Sequence, residues 1–227
     1  MKFIIFDTET TGLPKDFSAS AFKGPDNWPH IVSISWAIMD DKFNKVLSSQ
    51  SYIVKPNGWE IPFESTVIHG ITREDAQNGH DLGEVMDKFF AEDFDAVVAH
   101  NVHFDKNVIY NAMIHDLKRD FVGFRRPKLC TMQIGRKLCK LPKNKSPKLS
   151  ELYFWATGRI PTISQLHNSL YDTLFLCDAI SSAPEIRISL LESCMKQINE
   201  DQANVAAGVQ SASPTSTGQQ RPDYLVV

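Results

Sequence analysis

Two acids two residues apart close an apolar run near the start of the chain: Phe3-Ile4-Ile5-Phe6-Asp7-Thr8-Glu9-Thr10-Thr11-Gly12-Leu13-Pro14. Side chains alternate across a strand, so Asp7 and Glu9 fall on one face and Thr8 on the other. Carboxylates paired at the edge of a buried strand repel each other and resist desolvation unless a cation neutralises them. The economical chemistry is a divalent metal site, and a plain acidic edge-strand pair is its rival. Two more acids weigh on that choice. Asp105 ends the segment Phe94-Asp95-Ala96-Val97-Val98-Ala99-His100-Asn101-Val102-His103-Phe104-Asp105, in which a short apolar strand breaks at polar residues. Phe104, Val108, Ala112 and Leu117 then follow at roughly helical spacing, which puts Asp105 in the first turn of a helix, where the dipole favours a carboxylate. Asp172 falls within a third segment, read as a loop entering a helix, with His167 just ahead of it and able to lean over the same site.

Asp7-x-Glu9 followed by Thr-Thr-Gly, then His100-Asn101-x-x-Phe104-Asp105, then His167 five residues before Asp172, resembles the three motifs of the DnaQ-like (DEDDh) 3′-5′ exonucleases. The resemblance spans roughly residues 1 to 180. Val67-Ile68-His69-Gly70-Ile71-Thr72 is similar to a segment common between the first two motifs of that family. The resemblance implies a ribonuclease-H-like fold and phosphodiester hydrolysis. Such hydrolysis needs an activated water, charge stabilisation at the phosphoryl oxygens and help for the leaving oxygen, which two divalent cations roughly 3.5–4 Å apart supply. Hard oxygen ligands suit two Mg²⁺ or Mn²⁺ ions, held here by Asp7, Glu9, Asp105 and Asp172, with Asp7 the best candidate to bridge them. His167 fits a general base toward the attacking water, since imidazole exchanges protons near neutral pH.

The resemblance also implies how a strand end is gripped: Thr10 and Thr11 meet the terminal nucleotide, Leu13 wedges against its base, and Phe104 packs near base or sugar. Gly12 suits a turn that needs positive φ. His100 and Asn101 are candidate substrate contacts whose favoured alternative is orienting the strand-to-helix loop. His69 either contacts the nucleotide or holds a turn before Thr72, a fitting N-cap. Core packing is the rival reading for Leu13 and Phe104.

The elements that must position these side chains follow from periodicity and breakers. Strands are expected near 2–8, 31–39, 45–55, 95–100 and 128–131, with helices near 81–91, 104–118, 131–140, 148–157, 168–181 and 185–199. Three consecutive strands imply an antiparallel meander, and strands alternating with helices imply parallel additions. That is an α/β fold with a mixed five-stranded sheet flanked by helices. Between Pro14 and Ile31 lies an insertion-like loop in which Phe17, Phe22 and Trp28 offer base-stacking faces, anchoring being the favoured role for Trp28.

At 227 residues and 42% apolar content the chain suits one domain, expected over 1–200, with a flexible tail over 201–227. The tail ends in Tyr224-Leu225-Val226-Val227, compatible with a short ligand for a DNA polymerase or sliding clamp, though a frayed end is the simpler reading. Four cysteines without Cys-x-x-Cys spacing read as reduced and buried, and the first strand starts at residue 2, so an intracellular (cytoplasmic) protein is expected, with no membrane span. A net charge of −3 gives no global attraction to nucleic acid. The local exception is Lys118 to Lys148, eleven basic residues against Asp120 alone, expected to track the phosphate chain, with a solvated face and mobile loop as the rival reading. The expected activity is release of nucleoside 5′-monophosphates from single-stranded DNA 3′ ends, in proofreading or repair. The alternatives are an RNA-trimming or oligoribonucleotide exonuclease, and a non-catalytic nucleic-acid-binding or polymerase-docking subunit. An inactive scaffold would have no need for mutually repelling acids.

Overall fold

The computed structural model describes residues 1–162 and 167–206. Five strands, β1 (Lys2–Thr10), β2 (Ile31–Asp40), β3 (Val46–Ile53), β4 (Ala96–Ala99) and β5 (Lys128–Cys130), form one mixed sheet in the order β3-β2-β1-β4-β5. β1 pairs antiparallel with β2 and β2 with β3, whereas β1–β4 and β4–β5 are parallel. Among the described residues eight α-helices surround it: α1 (Phe63–His69), α2 (Arg73–Gln77), α3 (Leu82–Ala91), α4 (Val102–Asn111), α5 (Thr131–Cys139), α6 (Leu149–Thr157), α7 (Ser169–Ser182) and α8 (Pro184–Ala206). The expected ribonuclease-H-like mixed sheet is what the chain builds.

The alternation of β1 divides the interior in two. Ile4 and Phe6 join Ile34, Trp36, Phe89 and Val108 under α3 and α4. Phe3 and Ile5 join Ala37, Met39, Leu152, Leu176 and Ile180 under α6, α7 and α8. Asp7 and Glu9 continue the second set, so they emerge on the α7 side at the end of the strand. β1 pairs with β4 only through Ile5↔Val98, and past that point it outruns its parallel neighbour. A register shift against β2 falls between Glu9 and Thr10, a bulge at the point where the carboxylates leave the sheet.

Several local expectations need correction. α1 and α2 were not foreseen beyond the Thr72 cap. That cap is present: the Thr72 hydroxyl accepts from Asp75 N while the Asp75 carboxylate accepts from Thr72 N. The helix expected to run to 118 changes character at Ala112, where a π-helical turn spans Ala112–Asp116 and Leu117 N donates to Ala112 O. The five-residue step from Ala112 to Leu117 already carried that irregularity. α8 runs to Ala206, beyond the helix end expected near 199. The remainder of the tail, including Tyr224–Val227 and its polymerase or clamp reading, lies outside the described residues. All four cysteines are free thiols, with Cys130, Cys177 and Cys194 buried and Cys139 half-buried. No described helix is long and apolar enough to cross a membrane.

Candidate active site

α7 lies across β1 and β2 and delivers Asp172 to the strand end. The Asn168 side chain caps the helix, accepting from Leu170 N and Tyr171 N at 3.1 and 3.3 Å. Asp172, in the first turn, then meets the two acids of β1: one carboxylate oxygen each from Asp7, Glu9 and Asp172 lie within 4.8 Å of one another.

Asp105 arrives from the opposite side of the sheet. It sits in the first turn of α4 and its Oδ1 accepts from Thr8 N at 3.2 Å and Thr8 Oγ1 at 2.8 Å. This contact follows from the short β4, because the Thr8 N–H lies beyond the β1–β4 pairing and needs another acceptor. One oxygen of Asp105 is thus committed to holding β1. Asp105 stands outside the three-acid cluster, yet it is the neighbouring charge that acts most on Asp7.

The electrostatics follow from burial without a counter-charge. Burial holds the Asp7 carboxyl well above its ordinary range, with Asp105, Asp172 and Glu9 adding repulsion in that order. Glu9 is pushed up to about 8, by burial first and then by Asp172 and Asp105. Burial pushes Asp105 up to about 7 against the lowering pull of the Thr8 hydrogen bonds. Asp172 also rises to about 7 through burial, opposed by a hydrogen bond from the backbone of His167. Four carboxyls that hold protons this tightly are ready to exchange them for cations. The donor set is hard oxygen throughout, which suits Mg²⁺ or Mn²⁺.

His167 occupies the turn before α7, exposed, with left-handed backbone at φ 60°. The link seen between it and the acids is through its backbone N–H rather than its imidazole.

The expected substrate contacts separate on inspection. Gly12 takes φ 147°, as the turn requires, and Leu13 beyond it is 73% exposed. Thr10 spends its hydroxyl proton on Gly12 O at 2.7 Å, so its side chain shapes the turn. Thr11 is tied to His30, its N–H donating to His30 O and its Oγ1 accepting from His30 N, both at 3.0 Å. Phe104 is half-buried between Trp28 and Phe17. His100 is committed elsewhere: its ring nitrogens lie 3.2 Å from Thr131 Oγ1 and 3.0 Å from Pro147 O, and burial lowers its basicity to about 4. Asn101 sits at the start of α4 with φ 80°, a left-handed conformation that asparagine tolerates. For this pair the loop-orienting alternative matches the geometry. His69 is buried and its Nδ1 accepts from Ile71 N at 3.1 Å, which is the turn-holding role; its Nε2 has no partner among the described residues.

Residues not singled out as site candidates also build this region. His103, Asn107 and His115 lie along one face of α4 and its π turn, spaced by four and eight. They hold the 15–30 loop by its backbone: His103 Nε2 on Phe17 O, Asn107 Oδ1 on Ala21 N, and His115 Nε2 on Ala21 O. Trp28 is buried and donates to Ala19 O at 2.9 Å, the anchor expected of it. Phe17 remains half-exposed beside Phe104. His30 lies 3.0 Å from Asp116 and stacks on Trp59, bracing the Thr11 turn. The four-residue spacing in α4 was a visible signal; the His30 link, made across the fold, had none.

The basic segment is only partly available. Arg119 pairs with Asp87, Lys128 Nζ donates to the carbonyls of Phe124 and Arg126, Arg136 donates to Asn144 O, and Lys145 pairs with Glu151. Lys140 and Lys143 are exposed on a turn with positive φ at both residues.

Residues 4–180 match the Exonuclease family. Among curated proteins there is no match. Among solved structures, the fold is similar to exonuclease X in complex with 5′-overhanging duplex DNA, at 23% identity and TM-score 0.53, covering 82% of this chain and 99% of that one. It is also similar to the zinc-ion-bound E. coli exonuclease I–single-stranded DNA complex, at 16% identity and TM-score 0.66, covering 90% of this chain and 44% of that one. A third is the nuclease domain of 3′hExo, a DEDDh family member bound to rAMP, at 12% identity and TM-score 0.60, covering 85% of this chain and 93% of that one. The chain belongs to the Exonuclease family and is, as such, a phosphodiester hydrolase.

Proposed function

We propose that the chain is a divalent-metal-dependent 3′-5′ exonuclease that shortens single-stranded DNA and releases nucleoside 5′-monophosphates. The observation that carries the reading is the meeting of Asp7, Glu9 and Asp172 oxygens within 4.8 Å, with Asp105 acting on Asp7 from the other side. Asp7, Glu9, Asp172 and the second oxygen of Asp105 would hold the ions, with Asp7 the candidate to be shared between them. A pair of Mg²⁺ or Mn²⁺ ions bound there supplies charge neutralisation at the phosphoryl oxygens, a more acidic attacking water and relief of the leaving 3′ oxygen. His167 takes the proton from that water, and its backbone tie to Asp172 keeps the turn beside the cluster.

Thr11 and the backbone of the Thr10–Gly12 turn meet the terminal nucleotide, Leu13 wedges against its base, and Phe104 packs on base or sugar. Leu13 is 73% exposed on a turn braced by His30, so its side chain is free to make that contact. Two similar structures hold DNA, which favours a DNA substrate; the rAMP bound to the third keeps an RNA 3′ end as the second reading. Repair or proofreading is the expected setting.

The test is incubation of 5′-labelled DNA and RNA oligomers of one sequence with Mg²⁺, Mn²⁺ or chelator, beside Asp7→Ala. Laddering from the 3′ end that needs metal and vanishes in the variant is the expected result, with DNA shortened faster. Equal laddering in chelator would refute the metal reading, and faster RNA trimming would move the substrate to the second reading.

A further inference from the structure

Asp7 and Glu9 face two serines across the β1–β2 pair: Ser35 is registered opposite Asp7 and Ser33 opposite Glu9. Directly opposed residues share a face of the sheet, so both hydroxyls lie on the α7 side. Both meet a third hydroxyl, that of Ser169, the first residue of α7, with Oγ–Oγ distances of 3.0 Å to Ser33 and 2.8 Å to Ser35. Ser35 in turn donates to Ser51 at 2.8 Å. A hydroxyl has one proton, so the order of donors is fixed: Ser33 to Ser169, Ser169 to Ser35, Ser35 to Ser51. One turn further along α7, Thr173 Oγ1 donates to Ser35 O at 3.3 Å. Ser33, Ser35, Ser169 and Thr173 are each at most 3% exposed.

This arrangement is unusual for the underside of a helix on a sheet. Farther along, the same side of α7 is apolar, with Leu176, Cys177 and Ile180 in the core. At the end carrying Asp172 the contact is made by hydroxyls instead. Hydrogen bonds at 2.8–3.0 Å between short side chains hold the helix close to β2 and fix its rotation, which apolar packing specifies less sharply. Asp172 lies three residues after Ser169, on the same side of the helix. Its carboxylate has a short reach, so its meeting with Asp7 and Glu9 depends on that placement. Because the Ser33 proton goes to Ser169, it is withheld from Glu9 opposite, whose lone pairs stay available.

We propose that Ser169, Ser33 and Ser35 form a clasp of positioning residues that seats Asp172 against Asp7 and Glu9 and thereby sets the affinity of the cluster for divalent cations. The clasp rests on the metal reading above and adds to it the residues that hold the ligand-bearing helix in register. Groups that orient metal ligands characteristically change metal affinity or activity by about 10–100-fold when removed.

The test measures Mn²⁺ binding to the full chain by isothermal titration calorimetry, without substrate, alongside thermal denaturation and activity. Ser169→Ala is expected to weaken Mn²⁺ binding by about 10-fold or more, and Ser33→Ala, which deletes one bond of the chain, by a smaller factor. Ile186→Val, a buried change on α8 away from the site, serves as a stability control that lowers Tm while leaving Mn²⁺ affinity unchanged. If the serine variants lose Tm as that control does but bind Mn²⁺ with wild-type affinity, the hydroxyls are ordinary core contacts and the clasp is refuted. Should Ser169→Ala fail to fold, Ser33→Ala carries the same comparison. Absence of Mn²⁺ binding by the wild type would instead remove the metal reading itself, an outcome distinct from equal binding by all variants.

Discussion

Metal-free protein should lose stability as pH rises from 5.5 to 7.5, which is the reverse of the behaviour of a domain held by ion-paired carboxylates. Burial raises Glu9 from 4.5 to about 8, and Asp105 and Asp172 from 3.8 to about 7. A raised carboxyl means that the folded state binds more protons than the unfolded chain, so unfolding free energy falls with pH. The stabilisation is complete below about pH 4 and is lost as pH passes through 7 to 8. Asp105 alone, 3% exposed, crosses roughly 1.5 pKa units between pH 5.5 and its folded value, worth about 2 kcal/mol. In a fold of this size that is a Tm decrease of about 4–8 °C, with Glu9 and Asp172 adding to it. Divalent ions bind the folded state and replace the protons, so Mg²⁺ or Mn²⁺ should recover the loss at pH 7.5 and do little at pH 5.5. Differential scanning fluorimetry in chelator and in excess Mg²⁺ or Mn²⁺, across the pH series, reads both effects. Asp172→Asn should flatten the pH dependence and raise the metal-free Tm at pH 7.5, since it removes a carboxyl that ionises in this range and repels Asp7 and Glu9. A flat wild-type profile in chelator, or a metal increment as large at pH 5.5 as at 7.5, would refute the reasoning.

Four further outcomes follow. His167→Ala should lower kcat by about 100-fold or more while Mn²⁺ affinity by calorimetry stays near wild type. His100→Ala should lower stability by about 1–3 kcal/mol, seen in denaturant melts, with KM unchanged, because its ring joins Thr131 to Pro147; a KM effect without a stability loss would restore it as a substrate contact. Phe17→Ala should raise KM for single-stranded DNA about 10-fold with kcat preserved, since base–aromatic stacking contributes about 1–3 kcal/mol per base. Lys143→Glu should reduce the salt dependence of DNA binding more than Lys145→Glu does, because Lys145 is already paired with Glu151.

Residues that act locally were legible and residues that act across the fold were not. The alternation of β1 put Asp7 and Glu9 on one face before any coordinates, and both cores obey the same alternation. Asp105 in a first helical turn, the Thr72 cap and the Gly12 turn are all properties of a few consecutive residues. α1 escaped because Phe63, Val67 and Ile68 face outward, so its apolar pattern gives no inward stripe. The fate of His100 depends on Thr131 and Pro147, 31 and 47 residues away, and the contact of Ser33 and Ser35 with Ser169 spans 136 and 134 residues. Serines in a strand read as solvent-facing until the partner strand and helix are known. The capacity of the Lys118 to Lys148 segment was overstated for a related reason, since Asp87 and Glu151 neutralise two of its charges from positions the local count did not include.

The most direct test of the carboxylate centre is an anomalous difference map from crystals grown with Mn²⁺ and a nucleoside 5′-monophosphate. Two peaks about 3.5–4 Å apart are predicted, both touching Asp7, with Glu9 and Asp172 on one side and Asp105 on the other. Peaks absent from this cluster, or metal bound without Asp7, would contradict the account.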